Sequence, residues 1–543
     1  MVKGISAPPE KRDVFNGTFY FYYSFSLPVF HYIHRINSQK RIIMNKHKFI
    51  NILFFFLFCM VTITAFGENP TLKVFEGRPC INPPRITGNY PNSPFLFYIP
   101  TSGQRPMEWS AEKLPKGLRL DSKTGIITGT VAAKGDYTVT LKAKNALGTC
   151  TQELVIRIGD ELLLTPPMGW NSWNTFGRHL TEELVLQTAD AMVANGMHDL
   201  GYSYINIDDF WQLPERGANG HLQIDKSKFP HGIKYVADYL HQRGFKLGIY
   251  SDAANKTCGG VCGSYEYEET DAQDFASWNV DLLKYDYCNA PVDRVEAIER
   301  YTKMGAALRA TGRSIVFSVC EWGQREPWKW AKQVGGHLWR ISGDIGDVWN
   351  REANQMGGLR GILNILEINA PLSEYAGPSG WNDPDMLVVG IGGKSMSIGY
   401  ESEGCTQEQY KSHFDLWCMM ASPLLCGNDV RNMNDSTLQI LLDADLIAIN
   451  QDIAGKQATR SIRSDHYDIW VKPLADGRKA IACFNRKNVP YNFVLSPKTV
   501  ENLSLEQVYS LDERSTISGK EIMVKLAPYQ CKIYLCGKAQ PIK

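Results

Sequence analysis

The feature that most constrains the fold is an alternation of short apolar runs with helix-period stretches, repeated from about residue 163 to residue 450. Pro166-Pro-Met-Gly-Trp-Asn-Ser-Trp173 ends a first strand. Leu184, Val185, Ala189, Met192 and Val193 then recur at helical spacing until Gly196 stops the run. Residues 202–207 read as a second strand ending in Asp208-Asp209, followed by a helix with Ile233, Val236, Ala237 and Leu240 on one face. Residues 245–249 lead to Tyr250 and Asp252, residues 280–285 to Asp286, residues 314–319 to Glu321, and residues 337–341 carry Arg340 ahead of Asp344. Residues 386–389 are expected as the seventh strand, after Trp381-Asn-Asp-Pro-Asp385, and residues 423–426 as the eighth. Eight such units predict a (β/α)8 barrel, whose reactive side chains gather where the strands end. A doubly wound sheet shows the same alternation, but it would normally collect its ligand contacts at one switch point, often with a Gly-rich phosphate loop, and the sequence has none.

The stretch Asn279-Val-Asp-Leu-Leu-Lys-Tyr-Asp-Tyr-Cys288 sharpens this. Alternate side chains of a strand face opposite ways, so Lys284 and Asp286 share one face and Leu283 and Tyr285 the other. An isolated strand with that pair would be read as a structural ion pair. Several other strand-like runs in the chain that end the same way, in acids, Tyr, Trp or Arg, make it a candidate active site.

At 543 residues the chain exceeds one ordinary core, and regions of another character flank the barrel. Residues 44–67 have the order of a secretory signal: Lys46, His47 and Lys48, then an apolar run, then Ala65-Phe-Gly67. That run is shorter than the ~20 residues of a membrane span, so cleavage and export to the periplasm or medium are expected, without a stable membrane anchor. Cys59 raises lipidation, but bulky Phe58 precedes it. Residues 1–43 read as a misassigned or disordered upstream segment. Residues 68–160 contain turn residues between short β-rich runs and a period-two stretch at 136–144, which predicts a small antiparallel sandwich. Leu114-Pro-Lys-Gly-Leu118 resembles a signature of immunoglobulin-like modules; a spacer role is favoured over sugar binding, with Trp109 unassigned. The catalytic barrel is expected over 161–456 and a C-terminal β-sandwich over 457–543, with a hairpin turning at Asp476-Gly477.

Net charge of +1 provides no basic field for nucleic acid. Twelve of the thirteen cysteines follow the signal-like segment, compatible with disulfides in an exported chain. Cys258 and Cys288 form a candidate pair at the mouth of the site, with Cys262 as competitor, and no His-rich partner motif supports a zinc centre.

The motifs Met168-Gly-Trp-Asn-Ser-Trp173, Ile207-Asp-Asp209, Leu283-Lys-Tyr-Asp286, Cys320-Glu-Trp322, Trp339-Arg340 with Asp344-Ile345, Trp381-Asn-Asp-Pro-Asp-Met-Leu387 and Asn450-Gln-Asp452 occur together and in order. The set resembles the α-galactosidases of glycoside hydrolase family 27, across the barrel and the C-terminal sandwich. The resemblance implies a retaining, exo-acting enzyme that needs no cofactor and uses two carboxyl groups on opposite sides of the glycosidic bond. By the same resemblance Asp286 is the nucleophile and Asp344 the acid/base, which starts protonated. Lys284 is expected to keep Asp286 ionised. Asp208, Asp209 and Lys284 would hold the O3, O4 and O6 side of the sugar, Arg340 and Glu321 the O2 side, and Asp385 a further hydroxyl. Trp173, Tyr250 and Cys258 would line the pocket. Asp347, near Asp344, is read as loop structure.

Within the family the alternatives are β-L-arabinopyranosidase and α-N-acetylgalactosaminidase; Glu321 and Gln324 would crowd an acetamido group at carbon 2. From other classes the rivals are a metal-dependent barrel lyase or isomerase holding a divalent ion on Asp208, Asp209, Glu321 and Asp385, and a non-catalytic glycan-binding protein.

Overall fold

The computed structural model describes residues 70–352, 359–395, 400–500, 503–517 and 519–540. The expected signal at 44–67 and the segment 1–43 lie outside them. Three layered bodies are built from these residues, and the central one is an eight-stranded parallel sheet.

Its strands are β1 (Met168–Asn171), β2 (Tyr204–Asn206), β3 (Lys246–Asp252), β4 (Leu282–Asp286), β5 (Val316–Val319), β6 (Leu338–Arg340), β7 (Trp381–Asp383) and β8 (Leu424–Cys426). They pair in the order β7-β6-β5-β4-β3-β2-β1-β8. A parallel bridge from Leu387 to Cys426 brings β8 against the chain just past β7 and closes the barrel. The seventh strand corrects the sequence reading. The acid-rich Trp381–Asp383 is the strand, and the apolar residues 386–389 follow it as buried connection. Hydrophobicity pointed to the wrong segment because both are buried, and length and periodicity cannot separate two runs this short.

Period two organises β4 as anticipated. Leu283 and Tyr285 pack outward in the main core, Tyr285 against Tyr301 and Phe317, whereas Lys284 and Asp286 face inward. At the N-terminal end of the barrel Tyr204, Leu282, Val316, Leu338 and Trp381 form an apolar cluster with Leu162 and Leu163 of the incoming chain. Trp381 donates its Nε1–H to the Leu163 carbonyl at 2.8 Å, so the linker plugs that end.

The N-terminal sandwich sets a four-stranded sheet (Ile86–Asn89, Gly148–Ile158, Gly135–Asn145, Glu108–Glu112) against a three-stranded one (Phe95–Tyr98, Ile126–Gly129, Leu118–Leu120). Trp109 belongs to its core: buried, it donates to Thr101 Oγ1 at 2.9 Å. The module is fastened to the barrel. Asp199 receives Tyr98 Oη at 2.5 Å and Arg105 at 2.8 Å, and Ser314 exchanges hydrogen bonds with Tyr90 N and Ser93 Oγ. Tyr98 also stacks on His198 at 3.9 Å between ring centroids.

The C-terminal body is a six-stranded antiparallel sheet facing a two-stranded one, Tyr491–Leu495 with Ile522–Leu526, around Ile469, Ile481, Leu495 and Val524. Among the described residues no helix is long and apolar enough to cross a membrane.

Candidate active site

All the side chains singled out at strand ends converge on the C-terminal mouth of the barrel or brace it. Asp286 closes β4 and is 5% exposed. Its Oδ2 accepts from Tyr250 Oη at 2.8 Å and lies 3.4 Å from the Cys258 sulfur. Its Oδ1 is buried with no partner. Burial pushes this carboxyl up to about 6, against the attraction of Lys284, with Asp208 and Asp344 adding repulsion. Asp286 thus feels the charge of Asp344 across the mouth.

The expectation that Lys284 keeps Asp286 ionised is only half met. The ammonium points at Asp208, donating to its Oδ2 at 2.8 Å, where Asn171 Nδ2 also donates at 3.0 Å. Burial works against the charge on Lys284, and Asp208 and Asp286 outweigh it, holding the ammonium well above the ordinary lysine range. Lys284 is thus a fixed cation between two carboxylates, and Asp286 is left with a raised pKa. Asp209 beside it is pushed up to about 6 by burial, opposed by the Gly259 N–H that donates to its Oδ2 at 2.8 Å.

On the opposite side, Arg340 at the end of β6 pairs through Nη2 with Asp344 Oδ1 at 2.9 Å and Asp385 Oδ2 at 2.8 Å. The two acids differ in access: the Asp344 side chain is 33% exposed, that of Asp385 4%. Asp385 also receives Ile345 N at 2.8 Å, which anchors the Asp344 loop to β7. Its backbone sits at φ +75°, and Trp322 after β5 at +57°, both costly for residues with a Cβ. Such strain gathers where geometry is set for function.

Glu321 is fully buried, and its Oε2 is held by Arg325 at 3.0 Å. Burial pushes it up to about 7, and its Oε1 has no partner. Trp173 is half-buried at the rim with its ring parallel to Phe210. Asp347 stands apart from this group, receiving Gly393 N, Cys405 N and Tyr410 Oη, so it organises loops.

Cys258 and Cys288 are joined in a disulfide with Cα atoms 5.1 Å apart. It ties the loop after β3 to the loop after β4, and Asp252 braces the same junction by accepting from Cys288 N at 2.9 Å. Cys262 is a free, buried thiol. Asp252, Cys258, Asp286 and Cys288 are close enough to surround an ion, but the sulfur–sulfur bond removes both thiolates and leaves two carboxylates, a poor donor set. Asp208 and Asp385, offered earlier as metal ligands, are instead engaged by Lys284 and Arg340.

Three residues at the site escaped the sequence reading. Asn171 lies inside a quoted motif, and its contact with Asp208 was not drawn from it. Arg325 neutralises Glu321 from four positions on, a helix-like spacing in a segment that read as loop. Asp383 is buried and pushed up to about 6 chiefly by burial; assigning the strand one motif too late hid it.

Comparison with known proteins follows the same architecture. The family model for α-galactosidase A matches residues 165–452, that for its C-terminal β-sandwich domain residues 455–510, and that for an Ig domain residues 78–159. α-Galactosidase A of Cellvibrio japonicus is 47% identical over 328 residues, 60% of this chain and 77% of that protein. A crystal structure of a candidate α-galactosidase from Bacteroides fragilis is 80% identical, with a TM-score of 0.84 over 86% of this chain and 99% of its own. α-Galactosidase I of Mortierella vinacea is 33% identical, with a TM-score of 0.66 over 70% and 99%. With this sequence match added to the barrel and its ring of carboxylates, the chain belongs to the α-galactosidase A family of glycoside hydrolases.

Proposed function

We propose that the chain is a retaining, exo-acting α-galactosidase that removes terminal α-D-galactosyl residues by double displacement, with Asp286 as nucleophile and Asp344 as acid/base. The observation that carries the reading is the unequal state of the two acids. Asp286 is buried, with one oxygen fixed by Tyr250 and the other unpartnered, while Asp344 stands at the more exposed rim where a leaving group departs.

The order of events follows. Asp286 Oδ1 attacks the anomeric carbon as Asp344, released from Arg340 and protonated, gives its proton to the glycosidic oxygen. Forming the glycosyl ester removes the charge on Asp286, and Asp344 then takes a proton from the water that cleaves the ester. Asp208, Asp209 and Lys284 read the far hydroxyls, Arg340 and Glu321 the O2 side, and Asp385 a further hydroxyl. Trp173 and the Cys258 sulfur form the wall. A site built from buried polar groups rejects a sugar lacking the matching hydroxyl, because its own groups would then go unpaired. Export fits the Cys258–Cys288 disulfide, which persists in oxidising compartments.

Purified protein given an aryl α-galactoside in a proton NMR tube should release the α-anomer first. First appearance of the β-anomer would end the double-displacement reading. Faster turnover of the N-acetylgalactosaminide or β-L-arabinopyranoside analogue would reassign the substrate, and loss of activity to a chelator would favour the metal-dependent alternative.

A further inference from the structure

Strand β7 runs out into Asp383-Pro384-Asp385, and the two acids of that turn differ in what they touch. Proline keeps the residue before it extended, which suits Asp383 as the last residue of the strand. Asp385 then takes its left-handed φ of +75°. What holds it there is local. Asp383 Oδ1 accepts the Asp385 N–H at 2.9 Å, closing a turn through a side chain two residues back, and Trp417 Nε1 donates to the Asp385 carbonyl at 3.0 Å. Both flanks of the strained residue are pinned, the N–H side by Asp383.

The aim of the Asp385 carboxylate depends on that φ. Its Oδ2 accepts Arg340 Nη2 and Ile345 N, each at 2.8 Å, and the same Arg340 nitrogen donates to Asp344 Oδ1 at 2.9 Å. Asp385 thus fixes Asp344 twice, through the guanidinium and through the 344–345 peptide. Asp383 is the register partner of Arg340 in the sheet, and the two line a cavity of about 30 Å3 with Lys284 and Asp385. Small-ligand sites hold about 300 Å3 or more, so no sugar ring enters this space, and Asp383 acts through its neighbours. Two routes are open to it: the position of its acceptor oxygen, or its charge, which burial disfavours and Arg340 favours.

We propose that Asp383 is a positioning residue for the acid/base: its Oδ1 holds Asp385 in the left-handed state, and Asp385 then holds Arg340 and the Asp344 loop where a proton can reach the glycosidic oxygen. The inference rests on the reading of Asp344 as acid/base. Geometry rather than charge carries it, since the bond to the Asp385 N–H needs only an acceptor at that place. Without that bond the segment relaxes toward negative φ, which swings the Asp385 carboxylate away from Arg340 and Ile345 N and leaves Asp344 unplaced.

The test assays the full chain carrying Asp383→Ala on raffinose and on 2,4-dinitrophenyl α-galactoside. Dinitrophenolate leaves without a proton, whereas the sugar alkoxide of raffinose needs one. A misplaced acid should lower kcat/KM about 100-fold or more on raffinose and about tenfold or less on the aryl substrate, general acid catalysis being worth about 10^2- to 10^4-fold. Asp383→Asn keeps the acceptor and drops the charge, and should bring raffinose turnover back to within about threefold of the intact protein. Asp383→Glu keeps the charge, displaces the acceptor by a methylene and should behave as the Ala variant. If the Ala protein does not fold, the Asn and Glu pair decides. Equal losses on the two substrates, as a purely structural strand cap would give, overturn the proposal, and so does a Glu variant that outperforms Asn. Asp344→Ala separates the two readings. Leaving-group dependence there, with none in Asp383→Ala, overturns this proposal alone; none in either overturns the assignment of Asp344 and this proposal with it.

Discussion

The two ends of the barrel are built from the same eight strands and obey opposite rules. At the N-terminal end the inward layer is Tyr204, Leu282, Val316, Leu338 and Trp381, sealed by Leu162 and Leu163 and covered by the immunoglobulin-like sandwich. At the C-terminal end the layer is Asp208, Lys284, Asp286, Arg340 and Asp385, with two oxygens of Asp286 and Glu321 left unpartnered. Strand β4 spans both: Leu282 serves the plug and, on the same face, Lys284 and Asp286 serve the mouth. Stability is concentrated at one end, and costly groups are tolerated at the other because the first supplies the margin.

The largest effect that would break this contrast is at Asp286. Asp286→Asn should lower kcat by about 10^4-fold or more, as losing a nucleophile does. The same change should stabilise the fold at pH 8. Burial raises this acid to about 6, so its contribution to stability is fully present below its unfolded pKa near 4 and is lost as pH rises through about 6. Neutral Asn removes that loss, worth about 1–3 kcal/mol, read as a higher urea midpoint. An inactive variant that is also less stable at pH 8 would show that the mouth is not held at a cost. The opposite pattern is expected of Leu162→Ala, which leaves a cavity under the barrel: about 2–5 kcal/mol of stability lost with kcat unchanged.

The Cys258–Cys288 bridge joins the two concerns. Replacing both residues by Ser opens a loop of 30 residues and should cost about 3–4 kcal/mol by chain entropy. Because the bridge abuts Asp286, kcat/KM should fall as well, whereas a disulfide of purely structural effect would leave kinetics at 25 °C untouched.

How much of this was legible in the chain depended on the kind of signal. Strand periodicity on β4, the order of the polar strand ends and the hairpin at Asp476-Gly477 are local, and each has its counterpart in the structure. The seventh strand was placed late because buried strand and buried loop share composition. Pairings across the barrel were the least legible: Lys284 sits two positions from Asp286, yet its hydrogen bond goes to Asp208, 76 residues earlier. Trp349 matched no motif, and its setting comes from Phe484 and Tyr529, both more than a hundred residues further along the chain.

The smallest effect is the most specific to the mouth. Tyr250→Phe removes the hydroxyl that donates to Asp286 Oδ2 at 2.8 Å and leaves the buried ring, so packing is nearly conserved. A hydrogen bond to a charged group is worth about 1.5–3 kcal/mol, and losing it disfavours the ionised carboxyl further. With Asp286 near 6 in the intact protein, kcat/KM on an aryl galactoside should fall as pH drops through about 6, since only the carboxylate attacks. In the variant that limb should move to higher pH by about one unit, with the plateau lowered roughly tenfold. A plateau that falls while the limb stays would assign the limb to another group, such as Asp209, itself near 6, and Tyr250 would then be holding the geometry of Asp286 rather than its charge.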